Sequence, residues 1–333
     1  MSPVSALVAV AAALGALLFG PLPSAGTIVG TLRLPARDSV LFAARGPALY
    51  ALVVPPGRQS SVTFLRVDGS GDVRRARVAF RQPAFLQDLS AGPDGVYAGT
   101  SVVRRFSKRP DELVRLDGQT LTVRARAKFR SSIATVASGQ SLWASFGDGR
   151  VVRLDPRTLA VEASRRILPV SRTATGAATL SRPAVGLGSV WVLAGDALHL
   201  ALVRLDPATL AVRSRTRVPT GGRLAQALNH VTADSGHVYL VGDALAAVGA
   251  NGKLTERPVL VPGLATAVVH GTRLVGLTAE TPALVLLAPN GRVLARTGVR
   301  DAGADLAVSG RDAWFLGNAG HGNGIVHVRI TAR

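Results

Sequence analysis

Side chains able to move a proton or hold a metal are sparse in this sequence. It has six His, no Cys, and only four Glu, at Glu112, Glu162, Glu256 and Glu280. A zinc site built on one element needs ligands at short fixed intervals, and no H-E-x-x-H or zinc-finger spacing occurs. His230 and His237 lie seven residues apart, and His321 and His327 six, each pair straddling a turn or loop. Without Cys there is no thiolate ligand, no Cys nucleophile and no disulfide framework. No Gly-x-Ser-x-Gly elbow is present either. Metal-assisted chemistry would need ligands brought together from distant segments, with His230, His270 and His321 as the candidates.

Two connecting stretches offer binding chemistry instead. Gly317-Asn-Ala-Gly-His-Gly-Asn-Gly324 has the composition of a backbone N–H nest for an anion, with His321 and Asn323 as side-chain ligands. It lacks the strand-to-helix setting of a phosphate loop, so a flexible closing loop is the competing reading. Leu168 to Arg182 is a long run rich in Ser, Thr, Ala and Gly that carries Arg172 and Arg182. Long connections on compact domains are often functional, and they are also where insertions are tolerated. The candidate ligand-binding residues are therefore Arg172, Arg182, His230, His270, His321 and Asn323. No residue is assigned a catalytic role, and no cofactor is expected.

The formal charge of +19 comes almost wholly from Arg, since Lys occurs only at positions 108, 128 and 253. Such a charge suits a polyanionic partner. An Ala, Gly, Val and Arg-rich composition also follows from a GC-rich coding sequence. The basic residues are dispersed rather than clustered. Arg124, Arg126, Lys128 and Arg130 alternate along one segment, and Arg213, Arg215 and Arg217 along another, which places each set on one face of a strand. This describes a circumferential belt that keeps outer edges soluble. A nucleic-acid groove would pair a concentrated basic stripe with exposed aromatics, so nucleic acid is not the expected partner.

The elements carrying these residues are repeated. Leu202-Val-Arg-Leu-Asp-Pro-Ala-Thr-Leu-Ala-Val-Arg-Ser-Arg215 recurs as Leu113-Val-Arg-Leu-Asp-Gly-Gln-Thr-Leu-Thr-Val-Arg-Ala-Arg126 and as Val151-Val-Arg-Leu-Asp-Pro-Arg-Thr-Leu-Ala-Val-Glu162. Period-two alternation on both sides of a turn signal predicts a β-hairpin. Every Tyr and Trp falls at one place in the repeat: Tyr50, Tyr97, Trp143, Trp191, Tyr239 and Trp314, the first five 46 to 48 residues apart. Between Tyr239 and Trp314 the gap is 75, and Leu274-Val275 fills the missing place. That makes seven units. Between 12 and 20 residues after each aromatic position come the turns Asp68-Gly69, Asp117-Gly118, Asp155-Pro156, Asp206-Pro207, Asn251-Gly252 and Asn290-Gly291. The Gly-containing pairs are expected to supply positive φ, and Asp-Pro a type I turn.

Six turns serve seven aromatic positions, because the chain stops before the seventh unit can make an outer strand. The missing strand stands at the other end, in Thr27-Ile-Val-Gly-Thr-Leu-Arg-Leu34. Four short strands per unit match the blade of a β-propeller, and closure by the N-terminal strand removes open edges. The expected fold is all-β: a seven-bladed β-propeller of four-stranded antiparallel blades, its last blade closed by residues 27–35. With an aromatic strand before each Val-x-Arg-Leu-Asp-Pro-x-Thr-Leu-x-Val unit, residues 27–333 resemble the extracytoplasmic seven-bladed propellers of the YVTN-repeat and streptogramin-lyase-like superfamily. Members of that superfamily include lyases using His and acidic residues at the central face. No local motif here carries those roles onto numbered positions.

Residues 4–19 form a 16-residue uncharged run of small and apolar residues, followed by Pro21, Pro23 and Ser24-Ala25-Gly26. Residues 1–26 read as a signal peptide or membrane anchor, although no basic residue precedes the run and it is short for a bilayer span. A misassigned start codon is a further alternative. The expectation is an exported, extracytoplasmic, monomeric binding scaffold of one propeller domain, residues 27–333. Its partner would be a protein or an anionic surface polymer, bound on the face carrying loops 168–182 and 317–324. The alternative is a metal-assisted lyase or hydrolase with a divalent ion in the central funnel.

Overall fold

The computed structural model describes residues 22–34, 39–55, 59–101, 111–131, 133–138, 141–169, 179–196, 199–219, 228, 230–255, 257–300, 303, 305–318 and 323–331. The first strand, β1 (Gly26–Arg33), belongs to the last blade. Blade 1 is β2 (Ser39–Arg45), β3 (Ala48–Val54), β4 (Gln59–Val67) and the first part of β5 (Val73–Gly92), whose second part opens blade 2 with β6 (Gly95–Ser101), β7 (Asp111–Leu116) and β8 (Val123–Phe129). Blade 3 is β9 (Ile133–Ser138), β10 (Ser141–Phe146), β11 (Arg150–Leu154) and β12 (Val161–Arg166). Blade 4 has a divided inner strand, β13 (Thr179–Leu180) and β14 (Ala184–Gly186), then β15 (Ser189–Gly195), β16 (Ala201–Leu205) and β17 (Val212–Arg217). Blade 5 is β18 (His230–Ala233), β19 (Val238–Val241), β20 (Ala244–Val248) and β21 (Val259–Leu260). Blade 6 is β22 (Leu264–His270), β23 (Arg273–Thr278), β24 (Ala283–Leu287) and β25 (Val293–Gly298). Blade 7 is β26 (Leu306–Ser309), β27 (Asp312–Asn318) and β28 (Asn323–Ile330), completed by β1.

The chain is thus a seven-bladed propeller closed by its N-terminal strand, as the repeat spacing predicts. β1 pairs antiparallel with β28, from Gly26 opposite Ile330 to Arg33 opposite Gly324. Blade 6 braces that closure: the Thr297 hydroxyl donates to Gly26 O at 3.0 Å and accepts from Gly26 N at 3.0 Å.

Burial explains the sequence pattern. Second strands are sandwiched between neighbouring blades, and every residue of β15 is buried. Outer strands alternate toward solvent, which is why β8, β12 and β17 carry the Arg-rich runs. The apolar core is divided into seven clusters, each filling the seam between two successive blades. Tyr50 packs with Leu116 and Leu121 of the next blade, Tyr97 with Leu154 and Leu159, and Trp143 with Leu205 and Leu210. Val275 holds the aromatic's place in blade 6, between Val268 and Leu286 on the flanking strands.

The hairpin turns correct one expectation. In Asp117–Leu121, Asp155–Leu159 and Asp206–Leu210 the positive φ belongs to Leu, at 59°, 65° and 59°, and not to Gly118. Each Asp carboxylate accepts from the backbone N–H groups two and three residues on, while Leu N donates to Asp O at 2.9 Å. The strained Leu is compensated by burial: Leu121, Leu159 and Leu210 are 1%, 2% and 0% exposed. The turns at Asp68, Asn251 and Asn290 are one residue shorter, with positive φ at Gly71, Gly252 and Gly291.

The recurring Arg residues also have more specific partners than a belt. Arg115 Nε donates to Asp94 O at 2.8 Å and Nη1 to Arg157 O of the next blade at 3.0 Å. Arg157 is paired with Asp94 at 2.9 Å, and Arg204 lies 5.6 Å over the Trp191 ring. Turn Asp117 and Asp206 pair with Arg124 and Arg213 on the outer strand, seven residues on, rather than with the Arg two residues before them.

Candidate functional site: the central channel

Around the propeller axis lies a cavity of about 460 Å³. Its walls come from the inner strands of blades 1, 2, 5, 6 and 7 and, in blade 4, from β14 with Arg182 and Pro183 just before it. Most of the wall is Ala, Val, Leu and Phe42. The polar groups in this wall are few: Arg182, Asp305, His230, Ser90, Thr232 and Thr266.

Arg182 is the only Arg or Lys among the described residues of the wall. It reaches from the blade 4 connection to the inner strand of blade 2, where Nη2 stands 3.0 Å from Asp88 Oδ1 and donates to Leu89 O. Asp88 is 3% exposed and the Arg182 side chain 44%. The carboxylate is buried and its cation half in the channel, and the ion pair with a buried carboxylate holds Arg182 in place, since breaking such a pair is costly. Asp305, just before the inner strand of blade 7, is exposed to the channel, where desolvation by the surrounding wall pushes its carboxyl up against a smaller downward pull from Arg182. The first residue of β18, His230, is held toward the neutral imidazole by burial, with a hydrogen bond to the Ala267 backbone working the other way.

Of the residues expected from sequence, the structure brings Arg182 and His230 to this cavity. His270 is elsewhere. It ends β22, next to the turn into β23, two residues past the last of that strand's residues in the wall, and burial lowers its pKa there too. Asn323 begins β28 and pairs in register with Asn318. Arg172 and His321 lie outside the described residues, as do most of loop 168–182 and the centre of loop 317–324. Sequence reasoning missed Asp88 and Asp305. Asp88 had a signal: it is an acidic residue set directly against Leu89 within a run of inner-strand pattern, and in the structure it stands at a register shift between Leu86 and Asp88.

Among the described residues, no three His, Asp or Glu gather closely enough to hold a metal ion. The wall instead offers one fixed guanidinium, a carboxyl with a raised pKa and an imidazole whose charged form burial disfavours, separated by apolar surface. Those groups are able to donate and accept hydrogen bonds within an apolar enclosure of ordinary ligand-site size.

Comparison with solved structures gives the same architecture in proteins of different kinds. BamB from Moraxella catarrhalis matches with a TM-score of 0.58 at 15% identity, covering 91% of this chain and 99% of that one. Virginiamycin B lyase from Staphylococcus aureus matches at 0.60 and 11%, covering 90% and 98%. A chain of the mitotic checkpoint complex matches at 0.67 and 11%, covering 95% and 98%. What they share with this chain is the fold. At such identities the likeness goes no further, and a lyase and a member of a protein complex stand side by side within it. No family model matches the sequence, and neither does any curated protein.

Proposed function

We propose that the protein is an exported, non-enzymatic binding propeller that receives its partner on the face carrying residues 168–182 and 317–324, at the mouth of the central channel. The observation that carries this reading is the Arg182–Asp88 strut across the channel. It fixes a half-exposed guanidinium, a five-donor group, where a partner's carboxylate or backbone carbonyl would meet it. Asp305 and His230 supply the neighbouring donor and acceptor positions. A protein partner, or an anionic polymer threaded into the mouth, answers this chemistry. Export rests on the uncharged run at 4–19.

The test is site-specific photocrosslinking in living cells. A photoreactive residue at position 182 should give a discrete adduct that one at Arg213, on the outer rim, does not. Equal labelling at both positions, or none at 182, overturns the reading. Fractionation and the N-terminal sequence of the purified protein test export. A second reading, a metal-assisted lyase or hydrolase, draws on His230 in the channel and on the likeness to virginiamycin B lyase. Stoichiometric divalent metal in the purified protein, lost on His230→Ala, would establish it.

A further inference from the structure

Three blade seams are closed by the same pair of interactions. The aromatic of one blade donates to the carbonyl of the residue after Asp in the next blade's turn: Tyr50 Oη to Gly118 O at 3.0 Å, Tyr97 Oη to Pro156 O at 3.0 Å and Trp143 Nε1 to Pro207 O at 3.4 Å. Beside each of these bonds the turn leucine, Leu121, Leu159 or Leu210, fills the gap between blades. The seam between blades 7 and 1 has neither interaction. Its donor, Trp314, is 1% exposed, and its Nε1 makes no hydrogen bond. Its turn is the shortened one, so Gly71 (φ 91°) stands where the other blades place leucine.

Short turns occur at two other seams, but those are filled by neighbouring side chains. A Cβ placed on Gly252 would strike Ser214 Oγ, and one on Gly291 would come within 3.1 Å of Val259. At Gly71 it would meet nothing within 4 Å. A cavity of about 240 Å³ lies there, walled by Trp314, His327, Ser70, Gly71, Leu32 and Val29. Cavities of about 150 Å³ accept an apolar group the size of benzene. At the rim, Val29 is 46% exposed, on the free edge of the closing strand.

We propose that the seam between blades 7 and 1 is a docking slot for a polypeptide segment supplying what this seam lacks: a leucine-type side chain and, beside it, a backbone carbonyl to accept from Trp314 Nε1. The occupant's chemistry is set by the protein's own usage, since three seams satisfy the same aromatic with that combination. Water filling the slot would answer the indole N–H but leave the apolar walls wet. Docking here is independent of the channel mouth, because the slot opens between blades at the circumference.

The three Trp give three indole N–H signals in a ¹⁵N-labelled sample, and Trp314→Phe assigns the relevant one. Titration with N-acetyl-leucinamide should move that signal saturably, at least about tenfold more tightly than N-acetyl-glycinamide, the ratio expected for burying a leucine side chain. Replacing residues 68–72 by the blade 2 sequence Asp-Gly-Gln-Thr-Leu-Thr should fill the slot from within and abolish binding. Val29→Glu, an exposed change at the rim, should weaken the leucine probe without altering the fold. An unmoved Trp314 signal, equal response to the leucine and glycine probes, or undiminished binding in both variants would overturn the proposal.

Discussion

Trp314 and His327 face each other across the β27–β28 pair, their rings stacked with centroids 5.0 Å apart and planes 15° from parallel. His327 Nε2 stands 2.8 Å from Asp312 Oδ1. In four other blades the place opposite the aromatic is held by arginine: Arg66 opposite Tyr50, Arg115 opposite Tyr97, Arg153 opposite Trp143 and Arg204 opposite Trp191. Blade 7 uses a second flat ring where the others use a flat cation. His327→Arg is therefore expected to change unfolding stability by less than about 1 kcal/mol, while His327→Ala, which loses both the stack and the Asp312 bond, costs about 1–2 kcal/mol. Urea denaturation of the three proteins decides this. Equal losses in the two variants would show that the ring has no specific part in blade 7.

Tyr97 predicts an alkaline limit. Burial, the largest cause, raises its phenol from 10.0 to about 12. An acid whose folded pKa is raised contributes stability that is whole below the unfolded value near 10 and is lost as pH climbs from 10 toward 12. Absorbance titration should show one of the three Tyr ionising last, together with unfolding. Tyr97→Phe should remove that late step and, by orphaning the Pro156 carbonyl, cost about 1–2 kcal/mol at neutral pH.

The turn aspartates predict the acid limit with the opposite sign. Backbone N–H bonds, that from Thr120 foremost, lower Asp117 to about 2, and those from Thr158 and Thr209 lead the lowering of Asp155 and Asp206. Carboxylates depressed in the folded state stabilise it above their unfolded value near 3.8, and that contribution drains away as pH falls toward 2. A triple Asp→Ala variant at 117, 155 and 206 should melt lower at pH 7 than the parent yet lose less between pH 5 and pH 2. Parallel melting curves across that interval would mean the three turns do not govern acid unfolding.

Closure can be tested by removing the strand that makes it. Deletion of residues 22–34 takes away β1, its pairing with β28 and the Thr297 bonds to Gly26. It bares the edge of β28 in the outermost place of blade 7. Lower melting temperature and self-association on size-exclusion chromatography are expected. A monomer with unchanged melting would leave the strand without a role in stability.

The ring was legible in sequence because six of the seven blades carry a Tyr or Trp at one place and six carry the hairpin turn, with the first five aromatics 46 to 48 residues apart. The closing strand was legible because it was left over. The channel was not. Arg182 meets Asp88 and Leu89 from more than 90 residues away, and Asp305 joins them from a third blade. Residues of different blades share an axis without sharing any local interval, so spacing carries no trace of their meeting. The leucine turns were half legible: Asp and its turn were read, but the left-handed conformation was assigned to Gly118 in one and to no residue in the two Asp-Pro turns. Burial against the neighbouring blade holds leucine in a conformation that local preference alone disfavours.

β5 runs unbroken from Val73 to Gly92, bonded to β4 in blade 1 and to β6 in blade 2. Among the described residues, no other strand is shared between two blades. Blades 1 and 2 therefore form a single cooperative unit. Under force or in amide exchange they should open together, with the amides of β5 as the last of that pair to lose protection.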